Sequence, residues 1–197
     1  MSTHIDPLAA GAFPVELTSA SLRKIGRFEE RSQEEWLALL VANISDRRDA
    51  AANVAITLSL DTNIYASGDV LADTQAVTGA IRSAGASAIL QSLSLLDKDD
   101  QTAAGIDLVF LNANVSLGTE NAAPNISDSN AAAILGIVSL VAGDFIDVGG
   151  AKVATKANIG LLVTPATGTT IYVAAITRGS PTQTAAGIVL TLGLKQE

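Results

Sequence analysis

From about residue 52 onward the chain alternates apolar and polar residues with a period of two, the pattern of a strand buried on one face only. Ile56, Leu58 and Leu60 alternate with Thr57 and Ser59. Ile89, Leu93 and Leu95 are placed on one face, with Ser92 and Ser94 on the other, and Ile106, Leu108 and Phe110 repeat the scheme. Ile159-Leu161-Val163, Ile171-Val173-Ala175 and Ile188-Leu190-Leu192-Leu194 continue it. Turn chemistry separates these runs, as in Ser67-Gly68-Asp69, Gly149-Gly150, Thr167-Gly168-Thr169 and Gly179-Ser180-Pro181. Six or more such strands without long helices between them predict an all-β fold, an antiparallel β-sandwich or jelly roll. Residues 127–135 read two ways. Ser127 or Asp128 caps a short Ala-rich helix, or the segment is a strand continuing into Ile137-Val138-Ser139-Leu140.

The N-terminal stretch obeys a different rule. Arg23, Lys24, Arg27, Arg31, Arg47 and Arg48 supply half of the 12 basic residues and are interleaved with acidic ones. Ser32 followed by Glu35 forms a capping box, and Trp36, Leu37, Leu40, Val41 and Ile44 then recur at spacings of three and four. This predicts a helix over residues 33–43, carried on an arm of residues 1–52 ahead of a β domain of residues 53–197. The apolar stripe packs either on the protein's own sheet or on a neighbouring subunit. Arg23, Lys24, Arg27, Arg31, Trp36 and Leu40 are therefore the candidate contacts to another subunit. A large indole can anchor such a contact while charges at its rim steer and orient.

Composition narrows the chemistry. The 197 residues include no Cys and a single histidine, His4, so thiolate catalysis, Cys-ligated metals, multi-His metal sites and a packed Ser-His-Asp centre lack their residues. A net charge of −8 argues against sequence-independent nucleic-acid binding, which needs a Lys/Arg surplus. The longest nearly apolar run, residues 131–143, is about 13 residues long, short of the roughly 20 that span a bilayer. Residues 1–14 lack a basic region followed by an apolar core, so no secretory signal is expected. No cofactor is expected.

Three carboxylate patterns remain. Asp97, Asp99 and Asp100 suggest a cation loop, but Thr102 and Leu108 stand where an EF-hand needs Gly and Glu, which favours a solvated acidic hairpin turn. Asp107, Glu120, Asp128, Asp144 and Asp147 could supply a glycosidase pair, which depends on a separation that sequence does not give. Charge is also uneven along the chain. Residues 97–147 hold eight acidic and one basic residue, whereas residues 148–197 hold four basic and one acidic. Unequal ends of this kind suit repeated contacts between copies.

The runs Tyr65-Ala66-Ser67-Gly68-Asp69-Val70, Leu96-Asp97-Lys98-Asp99-Asp100-Gln101-Thr102-Ala103-Ala104, Val115-Ser116-Leu117-Gly118-Thr119-Glu120-Asn121-Ala122-Ala123-Pro124 and Ile126-Ser127-Asp128 occur in that order. Together they resemble a family of small structural proteins encoded among the virion genes of tailed bacteriophages and prophages, over roughly residues 54–197. The resemblance implies a non-enzymatic capsid-associated protein, a decoration or cement protein on the outer surface of the assembled head, made in the bacterial host cytoplasm. It implies as partners the major capsid protein and other copies of the chain, with a trimer as the expected homo-oligomer; the charge and the short apolar run already argue against nucleic acid and a membrane span. It transfers no catalytic residue. The alternatives are a tail or head-tail component and, further off, a carbohydrate-binding module, which would present an aromatic cluster on one sheet face.

Overall fold

The computed structural model describes Leu37, residues 50–101 and residues 104–197. The chain divides into two units, Met1–Arg48 and Asp49–Glu197. Of the first, Leu37 is described; it is helical and 61% exposed.

The second unit is built from nine strands, all paired antiparallel. They are β1 (Ala50–Thr57), β2 (Val70–Val77), β3 (Ala88–Asp97), β4 (Ile106–Leu111), β5 (Ile134–Leu140), β6 (Phe145–Asp147), β7 (Lys152–Val163), β8 (Ile171–Thr177) and β9 (Ile188–Gln196). One sheet has the order β1-β9-β3-β7-β6 and the other β2-β8-β4-β5. Every connection between consecutive strands passes from one sheet to the other, except β4 to β5 and β6 to β7. That order is two interlocked Greek keys, so of the two expected architectures the chain adopts the jelly roll.

The alternating residues explain the layers. Ile106, Leu108, Phe110, Ile171, Val173, Ala175, Ile188, Leu190, Leu192 and Leu194 all enter one core cluster between the sheets. The strand over 88–97 departs from the expected phase. A bulge between Leu90 and Ser92 shifts the register, so Leu90 joins Leu93 and Leu95 inside, while Ile89 turns to the outer face opposite Lys195 and Leu162. Across from it, β7 accommodates the bulge with two left-handed residues, Asn158 at φ 58° and Gly160 at φ 69°. The strand β1 starts at Ala50, three residues before the expected domain junction, and pairs from there with the end of β9.

The connection between β4 and β5 resolves the ambiguous segment into both readings in turn. Ser127 caps a single helical turn, Asp128–Ala131, and β5 starts at Ile134. The rest of that connection roofs the outer face of the four-stranded sheet. Leu117 is buried there with Val109, Leu111 and Ala174 in a second, smaller cluster, flanked by Val115 and Ile126. Asn121 and Ala122 exchange backbone hydrogen bonds with Val70, which closes part of the free edge of β2.

Candidate functional site

Three interstrand segments gather at one end of the sandwich: residues 58–69, the described residues 98–101 and 104–105, and residues 178–187. Backbone bonds tie them together, Leu60 N–H to the Ala185 carbonyl at 3.1 Å, Tyr65 N–H to Pro181 at 3.0 Å, Lys98 N–H to Gly187 at 2.8 Å and Arg178 N–H to Gly105 at 2.7 Å.

The aspartates expected as a cation loop or a solvated turn lie here, and the structure corrects the turn. The connection from β3 to β4 passes between sheets and is not a hairpin, and Asp97 is only 6% exposed. Its carboxylate accepts the backbone N–H groups of Asp99 (3.0 Å) and Gln101 (3.3 Å). Burial pushes its pKa above the usual carboxylate range, and those hydrogen bonds oppose the shift. Asp99 accepts the Thr184 N–H at 2.7 Å and the Thr184 hydroxyl at 3.0 Å. The Gln183 amide, with its NH₂ toward the carboxylates, donates to Asp99 at 2.8 Å and Asp97 at 3.3 Å. Asp100 pairs with Lys152 at 2.6 Å. The carboxylates are thus spent as a latch between two crossovers, and no group of three or more potential metal ligands is found among the described residues. Sequence reasoning missed Gln183 and Thr184, which sit some eighty residues away in an unpatterned loop.

The carboxylates considered as a glycosidase pair are scattered, and most have local duties. Asp107 pairs with Arg178, its carboxylate accepting Nε–H at 2.7 Å. Asp144 accepts the Val141 N–H at 2.9 Å and Asp147 the Gly149 N–H at 2.7 Å, the latter shaping the Gly149-Gly150 turn between β6 and β7. Asp128 opens the single helical turn, and Glu120 lies 3.4 Å from the Asp73 N–H. A shallow acidic concavity forms where Asp61, Asp73 and Glu120 approach Ser116 and Asn125. Asp73 is another residue that periodicity could not flag. Burial works against its charge, but the Leu117 N–H and Ser116 hydroxyl, both at 2.8 Å, outweigh it and hold the pKa below the usual range.

Tyr65 anchors the first crossover. It is 2% exposed; its hydroxyl oxygen accepts the Asp61 N–H at 2.7 Å and its proton faces the Leu71 carbonyl at 3.0 Å. Burial pushes its pKa up to about 12, with the Asp61 N–H opposing and the charges of Glu120, Asp61 and Asp69 adding to the rise. A phenol whose pKa is raised on folding stabilises the fold fully below its unfolded pKa of roughly 10 and loses that contribution as pH climbs through the folded value. Tyr65→Phe should lower stability by about 1–2 kcal/mol at neutral pH and flatten the decline expected between pH 10 and 12. Urea titrations across that window test it, and an unchanged decline would show that Tyr65 does not report there.

The six contact candidates, Arg23, Lys24, Arg27, Arg31, Trp36 and Leu40, lie outside the described residues. No described aromatic side chain is exposed: Tyr65 and Phe110 are buried, and Phe145 and Tyr172 are half-buried. None of the described helices is long and apolar enough to cross a membrane.

No family model and no curated protein matches the chain. Among solved structures it is similar to one described as the structure of infectious bursal disease virus, Gx strain, with 10% identity and a TM-score of 0.22. The match covers 75% of this chain and 36% of that one, so the chain spans little more than a third of that protein's length.

Proposed function

We propose that the chain is a non-enzymatic structural component of a tailed-phage virion, a decoration protein that reinforces the outer surface of an assembled head. The strand order carries this reading, because jelly rolls with these two sheets recur in viral capsid domains, lectins and cupins. Fold alone does not choose among those three. Against a cupin, the sequence holds one histidine, and against a lectin, no exposed aromatic platform stands on either sheet among the described residues. The ordered resemblance to virion proteins over residues 54–197 points the same way.

The mechanism follows from the packing. Polar groups of the crossovers are consumed in bonds between loops, which makes the β unit a stiff block suited to spreading load. Apolar area buried on the head surface, at about 25 cal/mol per Å² and repeated over many copies, then stabilises the assembled shell against its internal pressure.

The test is binding of the purified chain to heads of the phage or prophage that encodes it. Co-sedimentation with heads, together with a higher temperature of head rupture, is the expected result. Trp36→Ala should weaken that binding about 30-fold, the equivalent of losing an anchor of roughly 2 kcal/mol. Binding to isolated tails but not to heads would replace this reading with the tail one.

A further inference from the structure

Both carboxylates of the latch converge on one amide. The Gln183 NH₂ donates to Asp99 Oδ2 at 2.8 Å and to Asp97 Oδ1 at 3.3 Å, so two acids from the β3–β4 connection share a single uncharged donor from the β8–β9 connection. The cations described at this end of the sandwich are engaged with other groups. Lys152 of β7, opposite Asp97 in register, bonds Asp100 at 2.6 Å, Lys98 donates to the Ala186 carbonyl at 3.0 Å, and Arg178 pairs with Asp107. Asp147 of β6, the other register partner of Lys152, adds a further negative charge. Thr177 of β8 and Phe145 of β6 line the same small cavity as Asp97, and Ile188 of β9 is its register partner; none of the three is charged.

We propose that Asp97, Gln183 and Asp99 form a proton-operated latch, in which one proton taken up by Asp97 in mild acid tightens the joint between the two crossovers and its release loosens it. Burial and repulsion act in the same sense. Asp97 is 6% exposed, and holding its charge beside that of Asp99 costs more inside the protein than in water. A proton removes both costs. The two oxygens of Asp97 are unequal, since Oδ1 accepts the Asp99 N–H at 3.0 Å together with the shared Gln183 amide, whereas Oδ2 accepts the Gln101 N–H at 3.3 Å. The proton therefore comes from water to Oδ2. The resulting hydroxyl oxygen keeps a lone pair for Gln101, and the bonds on Oδ1 stay unbroken. With that charge gone, the Gln183 NH₂ bonds more strongly to Asp99, which remains ionised on the Thr184 N–H and hydroxyl. Burial already holds the Asp97 pKa above the usual carboxylate range, and the Asp99 charge adds to the rise against the opposing hydrogen bonds. A group raised in this way stabilises the fold fully below its unfolded pKa of roughly 3.9, and that contribution is lost as pH climbs through the folded value. The latch thus firms in acid, the reverse of a carboxylate held by a cation. The consequence is local, a loop cluster at one end of the sandwich whose stiffness follows pH, and it does not depend on the decoration reading.

Nuclear magnetic resonance of the full chain tests this with two readings. The Asp97 carboxyl carbon should titrate above the ordinary aspartate value of roughly 3.9. The Thr184 and Lys98 amides, which bond across the joint to Asp99 and to the Gly187 carbonyl, should gain hydrogen-exchange protection several-fold as pH falls from about 7 to about 4.5. Protection factors are compared, so the intrinsic pH dependence of exchange is removed. Asp97→Asn keeps the shape without the charge, and its Thr184 amide should show the protection of the acid form at every pH in that range. Gln183→Glu places a third carboxylate in the joint, so it should lose protection several-fold at neutral pH and regain it in acid. The wild-type titration and Gln183→Glu decide the matter even where Asp97→Asn does not fold. An Asp97 carboxyl that titrates at or below the ordinary value, or wild-type protection that falls on acidification, would overturn the proposal. So would an Asp97→Asn chain that keeps the wild-type pH dependence, which would assign the titration to another group, or a Gln183→Glu chain indifferent to pH.

Discussion

Phe110→Ala should destabilise the fold by about 3–5 kcal/mol, a third or more of the roughly 5–15 kcal/mol that holds a typical domain together. Phe110 is fully buried and lies on β4, an interior strand of the four-stranded sheet, between Val173 of β8 and Gly136 of β5. Its neighbours leave little room to collapse into the vacated volume. The space above Gly136 is already filled by Leu161 of β7, which would sit 2.7 Å from a methyl group placed there. The lost transfer energy is therefore joined by a cavity term. Urea denaturation measures the loss, and the melting temperature should fall by on the order of 10 °C. Ile146→Ala is the control: it removes a similarly apolar side chain that is 64% exposed, and it should change monomer stability by less than about 0.5 kcal/mol. A cost below about 1 kcal/mol for Phe110→Ala would mean that the two sheets are not packed as a close-fitting interior.

The second large effect concerns the latch between crossovers. Gly187 does not adopt a left-handed conformation, so on backbone grounds alanine would ordinarily stabilise it by about 0.4–1 kcal/mol. The prediction has the opposite sign. A methyl group on Gly187 would overlap the Asp99 carboxylate, which rests directly on that glycine. Asp99 would be displaced from the Thr184 N–H, the Thr184 hydroxyl and the Gln183 amide, so Gly187→Ala should cost about 2–3 kcal/mol. A double-mutant cycle isolates the cause. Asp99→Ala is destabilising by itself, but in that background the added methyl should cost almost nothing, giving a coupling of about 2 kcal/mol. Additive losses would show that Gly187 is required for a reason unrelated to Asp99.

These two positions mark where sequence reading succeeds and where it stops. Phe110 lay in an evident pattern, because Ile106, Leu108 and Phe110 sit two apart and a strand turns every second side chain to the same face. By contrast, β2 reads Val-Leu-Ala-Asp-Thr-Gln-Ala-Val, with register irregularities on both sides of Ala72, and so carries no clean alternation. Asp73 on that strand therefore gave no sign that it holds the roof through Leu117 and Ser116. Ile89 was assigned to the wrong face for a related reason. A bulge inserts one residue and reverses the phase, yet it leaves no mark in a Leu-Gln-Ser sequence that any strand could carry. The cluster at 97–100 was visible as chemistry, but the groups that consume it, Thr184, Gln183 and Lys152, come from strands and loops remote in the chain.

By itself, the sequence determined the all-β class, most of the interior residues and the absence of thiol and multi-histidine chemistry, since each follows from local periodicity or from composition. Only the tertiary structure decided the jelly-roll strand order, the roof over one sheet and the conversion of an acidic loop into a latch. All three depend on which distant segments meet. Pairing between strands is set by the summed fit of many residues across the interior, and no short stretch of chain contains that sum.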